Sequence, residues 1–152
     1  MPSRSVATRA TLPAGGESGS IIPPDQGREP EVRKRISGPA IRTFLNIAKK
    51  WELTVHEQSG LLGWPAASTY HKYKAGYVGT LTFDTLIRLS LVLGIYKDLH
   101  VLYPDPELAN RWMRLPNANS LFGGGTPLEF VINNGVDGLY KVRRLLDARR
   151  GA

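Results

Sequence analysis

Five side chains between Ser68 and Lys74 can donate hydrogen bonds: Ser68, Thr69, His71, Lys72 and Lys74. Hydroxyl and ammonium groups suit phosphate oxygens, and His or Lys can also meet guanine acceptors in a major groove. This is the chemistry of nucleic-acid recognition, and it needs a helix to present it. A second concentration lies near the C-terminus, where Arg143, Arg144, Arg149 and Arg150 follow one another closely. Guanidinium groups bind carboxylates in bidentate fashion and are favoured at protein interfaces. Catalysis is poorly served. His56, His71 and His100 are scattered, and no paired-carboxylate or Ser/His/Asp pattern stands out. Gly123-Gly124-Gly125-Thr126 lacks the lysine of a phosphate-binding loop and reads as a turn. The chain has no cysteine and no histidine cluster, so no metal site, cofactor or enzymatic activity is expected.

Charge supports the first reading. The 152 residues carry a net charge of +7, and a basic surplus favours a polyanionic partner. Residues 39–80 hold five Lys/Arg against two Asp/Glu, whereas residues 81–115 hold four of each. No apolar run approaches the ~18 residues that a membrane span needs, and the lack of cysteine fits a reducing cytosol.

The elements that must position these residues are helices. Residues 1–38 read as a flexible tail, because Leu12–Gly27 is rich in Gly, Ser and Pro and has no sustained period. Arg33-Lys34-Arg35 would be a basic arm beside the folded part. From Ser37 the pattern turns helical. Ile41, Phe44, Leu45, Ala48 and Trp51 form one apolar stripe, and Pro39 suits a first turn. Thr54 with Glu57 makes a capping box, and the helix it starts should stop at Gly63. The next helix covers roughly Ala66–Lys74, with Tyr70 and Tyr73 as inward anchors. Ser59 is the small residue that lets the two helices pack closely. Thr82 caps a helix over Phe83–Leu93, Gly94 interrupts it, and a short helix covers Tyr96–Leu102. Asp105 caps Pro106–Arg114, and residues 116–126 form a loop. A helix from Thr126-Pro127 ends at Asn133-Asn134-Gly135, and a last one runs from Val136 to Ala148. No strand alternation appears, so the fold class is all-α. The domains expected are the tail 1–38, a helix-turn-helix core 39–80, connecting and dimerising helices 81–104, and a helical domain 105–152.

The stretch Leu53-Thr54, Ser59, Leu61-Leu62-Gly63, Thr69-Tyr70 and Lys74-Ala75-Gly76 resembles the Xre/Cro type of helix-turn-helix. Trp64-Pro65-Ala66-Ala67 makes its turn about one residue longer than usual in that type. Downstream, Leu81–Ser90, Leu93–Lys97, Pro104-Asp105-Pro106 and Arg111-Trp112 come in order. They are followed by Pro116-Asn117, Leu121–Gly124, Thr126-Pro127-Leu128 and Gly138–Arg144. The ordered set, over about residues 40–150, resembles the antitoxin family of Xre–RES (MbcA/ParS/Xre) toxin–antitoxin pairs.

That resemblance implies a helix-turn-helix that represses the operon by binding operator DNA. It also implies a C-terminal domain that binds a RES-domain toxin, an enzyme that degrades NAD⁺, and closes its NAD⁺ pocket. A homodimer within a larger complex is implied too. The residues that match are Arg111, Trp112, Phe122, Gly123, Leu128 and the basic end Arg143, Arg144, Arg149 and Arg150. Simpler roles stay open for several of them. Arg143 and Arg144 can equally solvate an amphipathic helix that buries Leu139, Val142, Leu145 and Leu146. Trp112 and Phe122 can equally pack in the core. A stand-alone dimeric repressor without a toxin partner is the alternative function.

Overall fold

A computed structural model describes residues 29–151. They form six α-helices and two 3₁₀ turns: α1 Pro30–Lys50, α2 Val55–Leu61, α3 Ala67–Lys74, α4 Phe83–Leu102, α5 Pro106–Arg111, the turns Trp112–Arg114 and Ser120–Phe122, and α6 Pro127–Gly151. There is no strand among the described residues, as the all-α reading expects.

Helix α4 is the centre. It is apolar almost all round, with Leu86, Leu89, Leu91, Val92, Leu93, Ile95 and Leu99 buried, the pattern of a helix covered on every side. α1 packs on one side of it and α6 on another. Gly94 does not break it, contrary to the sequence reading of two helices. A Cβ at Gly94 would fall 1.7 Å from Nη1 of Arg143. The glycine is therefore a place where another side chain crosses the helix at close range.

Helix α1 starts at Pro30, not near Ser37, and Pro39 lies inside it rather than in its first turn. Pro30 occupies the first turn instead, where a missing N–H costs nothing. Tertiary contacts hold the added turns. Val32 is buried, the Ser37 hydroxyl accepts from the Leu81 backbone N–H at 2.9 Å, and Arg33 Nη1 donates to the Leu81 carbonyl at 3.4 Å. Arg33 is thus turned toward its own chain, while Lys34 and Arg35 are exposed. The expected stripe is in place, with Ile41, Phe44, Ala48 and Trp51 buried.

The C-terminal part is built from caps and an aromatic cluster. Asp105 accepts from the Glu107 N–H at 3.0 Å to start α5. Thr126 and Glu129 form a reciprocal capping box for α6, each bond 3.1 Å. The expected break falls where Asn133-Asn134-Gly135 puts it. Gly135 has φ 61 and ψ −143 within the helical run, a conformation essentially confined to glycine. The second half then continues past Ala148 to Gly151.

Candidate functional site

The first candidate surface is the α2–α3 pair. Thr54 Oγ1 accepts from the Glu57 N–H at 3.1 Å, and Glu57 Oε1 accepts from the Thr54 N–H at 2.9 Å, so the expected capping box is formed. Glu57 Oε1 also takes Nη1 of Arg114 at 2.8 Å. Burial pushes the Glu57 carboxyl up, but the Arg114 guanidinium and the Thr54 bonds outweigh it and leave it below its ordinary range. At the other end of α2 the chain turns through Gly63 at φ 87 and Trp64 at φ 63. The Trp64 N–H returns to the Ser59 carbonyl at 2.8 Å, closing the C-terminal carbonyls of α2. Pro65 and Ala66 then lead into α3.

α3 is anchored by Tyr70, which is buried and whose hydroxyl donates to Oε1 of Gln58. Gln58 in turn donates to the Leu53 carbonyl at 2.9 Å. Burial pushes the Tyr70 phenol up to about 12, so it stays a donor at any working pH. Tyr73 is half-buried and meets Tyr70 edge-on at 6.4 Å. Ser68, His71, Lys72 and Lys74 are exposed, and Thr69 is half-buried. The five are not equivalent. Nζ of Lys74 lies 6.0 Å from the centre of the Tyr70 ring and borders a cavity of about 380 Å³ shared with Lys49, Asn46 and Glu52.

The second candidate surface is the C-terminal part, where the structure separates the nine residues singled out there. Trp112, Phe122 and Leu128 are buried. Phe122 stacks edge-on between Trp112 at 6.1 Å and Phe130 at 5.5 Å. These side chains hold the fold. Gly123 caps the short 3₁₀ turn at φ 57, and Arg111 is exposed at the end of α5. Arg144 is exposed, its guanidinium 6.0 Å from the Tyr140 ring. Arg149 reaches the Tyr103 hydroxyl at 3.5 Å.

Arg143 and Arg150 share an acidic partner that the motif search passes over. Asp98 is wholly buried on α4. Its Oδ1 accepts from Arg150 Nη1 at 2.7 Å and its Oδ2 lies 3.3 Å from Arg143 Nε. Asp147 completes the group, with Oδ1 3.0 Å from the same Arg143 nitrogen. Burial first, and then the Asp147 carboxyl, push Asp98 up to about 6 against the pull of Arg150 and Arg143. Burial also raises Asp147, but its hydrogen bonds to Asp98 and Arg143 win and hold it below its ordinary range. The one acid in the mostly apolar run Leu89–Leu102, which also holds Ser90, Lys97 and His100, was the signal available in the sequence.

The two surfaces touch. Arg114 meets Glu57 at the start of α2. In its middle, a Cβ at Gly60 would fall 3.0 Å from Cγ2 of Ile132 on α6 and 3.1 Å from the Trp64 ring. The close approach of α2 to α6 therefore depends on Gly60. Past its end, a Cβ at Gly63 would fall 3.0 Å from Nε of Arg88, and a Cβ at Gly135 3.7 Å from Nη2 of the same residue.

Among the described residues no group of acidic or histidine side chains could hold a metal ion, and no helix is long and apolar enough to cross a membrane. What remains is a helical protein with a hydroxyl- and lysine-bearing helix at one end and a tightly capped, arginine-rich helical domain at the other. Residues 99–151 match the family described as the antitoxin Xre/MbcA/ParS C-terminal toxin-binding domain. The chain is also 39% identical over 129 residues to an uncharacterized protein, y4oB, of Sinorhizobium fredii (strain NBRC 101917 / NGR234), a span covering 84% of this chain and 97% of that one. No solved structure matches it. The chain belongs to the Xre/MbcA/ParS antitoxin family, and its C-terminal region is that family's toxin-binding domain.

Proposed function

We propose that this antitoxin neutralises a RES-domain toxin, closes the toxin's NAD⁺ pocket with its C-terminal segment, and represses its own operon through α2 and α3 as a helix-turn-helix. The observation that carries the reading is the toxin-binding domain over residues 99–151. For the toxin contact, Arg111, Arg144, Arg149 and the loop at Gly123 are the expected residues left on the surface. Arg150 is also exposed at its backbone but holds Asp98. Trp112, Phe122, Leu128 and Arg143 support that surface from within. For operator DNA, Ser68, Thr69, His71 and Lys72 on α3 supply donors, and Lys34, Arg35 and Arg42 on α1 add positive charge. A homodimer, acting in the bacterial cytoplasm, would match the symmetry of a two-half-site operator.

Co-expression with the product of the adjacent open reading frame tests the toxin half. Growth and the NAD⁺ pool should collapse with that product alone and recover with this chain. A neighbour that is harmless alone, or toxic in both cases, defeats the reading. Binding of the purified protein to its own promoter tests the other half, and equal affinity for unrelated DNA defeats repression.

A further inference from the structure

Pro65, Ala66 and Ala67 lead the chain into α3 without a polar side-chain atom among them. Ala66 and Ala67 are exposed and Pro65 is half-buried, so the two alanine methyl groups do not fill the core. Ser68, His71 and Lys72 follow, all exposed. One helical turn separates Ala67 from His71 and Ser68 from Lys72. A small apolar patch thus adjoins a surface of hydrogen-bond donors and positive charge, to which Lys34, Arg35 and Arg42 of α1 add.

Capping does not explain these alanines. Ala66 holds the N-cap of α3 at φ −56 and ψ 146 and gives its helix no side-chain cap. That extended backbone is the one a Ser, Thr or Asp cap adopts, and Ala is among the poorest residues there. Better caps are used elsewhere in the chain, where Thr54, Thr82, Asp105 and Thr126 open α2, α4, α5 and α6. The entrance to α3 therefore forgoes local stability and keeps a bare methyl on the surface. In a recognition helix the first residues meet base edges. An alanine side chain neither donates to a base nor accepts from one, and the major-groove feature it can read is the thymine methyl.

We infer that Ala66 and Ala67 read thymine methyl groups in the operator, while the polar side chains beside them bind its backbone and neighbouring bases. This deepens the repressor reading above and rests on it. The chemistry separates cleanly from charge. Thymine and uracil present the same hydrogen-bonding groups and the same phosphates, and differ by the methyl. Losing one buried methyl weakens binding about fourfold. Because no phosphate contact changes, the dependence of affinity on salt stays the same.

The experiment measures the full chain on two duplexes of its own promoter, one natural and one with every thymine in the footprint replaced by uracil. The wild type should bind the uracil duplex at least about fourfold more weakly, with an unchanged salt slope. The double variant Ala66→Gly/Ala67→Gly should bind the two duplexes within about twofold of each other, which completes a cycle between the side chains and the methyls. Ala66→Ser keeps the inference open to refutation if that variant does not fold. Its hydroxyl supplies the missing cap, so its melting temperature should rise, while its affinity for the natural promoter falls and its uracil penalty shrinks. A purely structural Ala66 predicts a higher melting temperature with affinity and uracil penalty intact, and that result overturns the inference. So does a wild type indifferent to uracil, a footprint without thymine, or the same uracil penalty in the wild type and the variants. A wild type that holds its promoter no better than unrelated DNA removes the repressor reading, and the methyl reading falls with it. Promoter-specific binding that ignores uracil removes the methyl reading alone.

Discussion

Arg143 and Asp98 meet inside the molecule, Nε to Oδ2 at 3.3 Å, with the guanidinium lying across the bare backbone of Gly94. Asp98 has no exposed surface, and Arg150 approaches its other oxygen at 2.7 Å. The C-terminal stretch of α6 is thereby fastened to the central helix by charge as well as by Leu139, Val142 and Leu146. A buried pair is weak evidence for net stability, but removing one partner strands the other. The arrangement therefore makes the toxin-binding end sensitive to changes on α4 that never reach the surface.

Gly94→Ala should be severely destabilising. Its methyl would overlap the Arg143 guanidinium, which cannot withdraw without leaving Asp98. Overpacking costs about 1–3 kcal/mol and breaking a buried pair about 3–5 kcal/mol. The unfolding free energy of the full chain, from urea titration, should fall by an amount in that range. A loss below about 1 kcal/mol, in the range of an ordinary surface substitution, would mean the guanidinium has another comfortable position.

The same cluster sets a pH dependence. Asp98 is raised from 3.8 to about 6 in the folded protein, so between those values the folded state holds a proton that the unfolded chain has lost. Its contribution is fully present below pH 4 and fades as pH rises through 6. Asp147 is lowered, so its contribution is present above its ordinary value and is lost as pH falls further. The wild type should lose stability relative to Asp98→Asn between pH 4.5 and 7, by on the order of 2 kcal/mol. Parallel stability curves for the two proteins would show that Asp98 is ionised throughout.

Tyr70→Phe tests the anchor of α3. It deletes the donor to Gln58 Oε1 and leaves that amide oxygen buried beneath the helix. The expected cost is about 1–3 kcal/mol, read as a lower melting temperature with helical circular dichroism retained. An unchanged melting temperature would mean Gln58 finds another donor and the Tyr70 ring alone holds α3.

Much of this architecture is legible in the sequence. Thr54 with Glu57, Thr82, Asp105 and the break at Asn134-Gly135 are local signals, and each is a cap or turn whose partners lie within a few residues. The misread places have distant partners. The first turns of α1 are held by Leu81, 44 residues from Ser37, so the upstream sequence by itself resembles a tail. Gly94 looks like a helix stop because its use is to admit Arg143 from another helix. The family resemblance was legible, but a motif residue such as Trp112 or Arg143 does not by itself distinguish a side chain that meets a partner from one that shapes the surface meeting it.

The two lysines of α3 look interchangeable in sequence and are not so in space. Lys72 is exposed, while Lys74 lies over the Tyr70 ring and beside Lys49 and Glu52. A lysine that contacts a phosphate releases a counterion, and removing it lowers the salt slope of binding by about one. Lys72→Ala should reduce that slope by about one for promoter DNA and weaken specific and unrelated sequences alike. Lys74→Ala should change the slope by less than half as much, because its ammonium already sits against an aromatic face and would leave it to reach DNA. Promoter affinity measured from about 50 to 200 mM salt separates the two. If Lys74→Ala has the larger effect, α3 meets DNA through its C-terminal end. The helix would then be rotated from the orientation in which Ser68 and Thr69 lead into the groove.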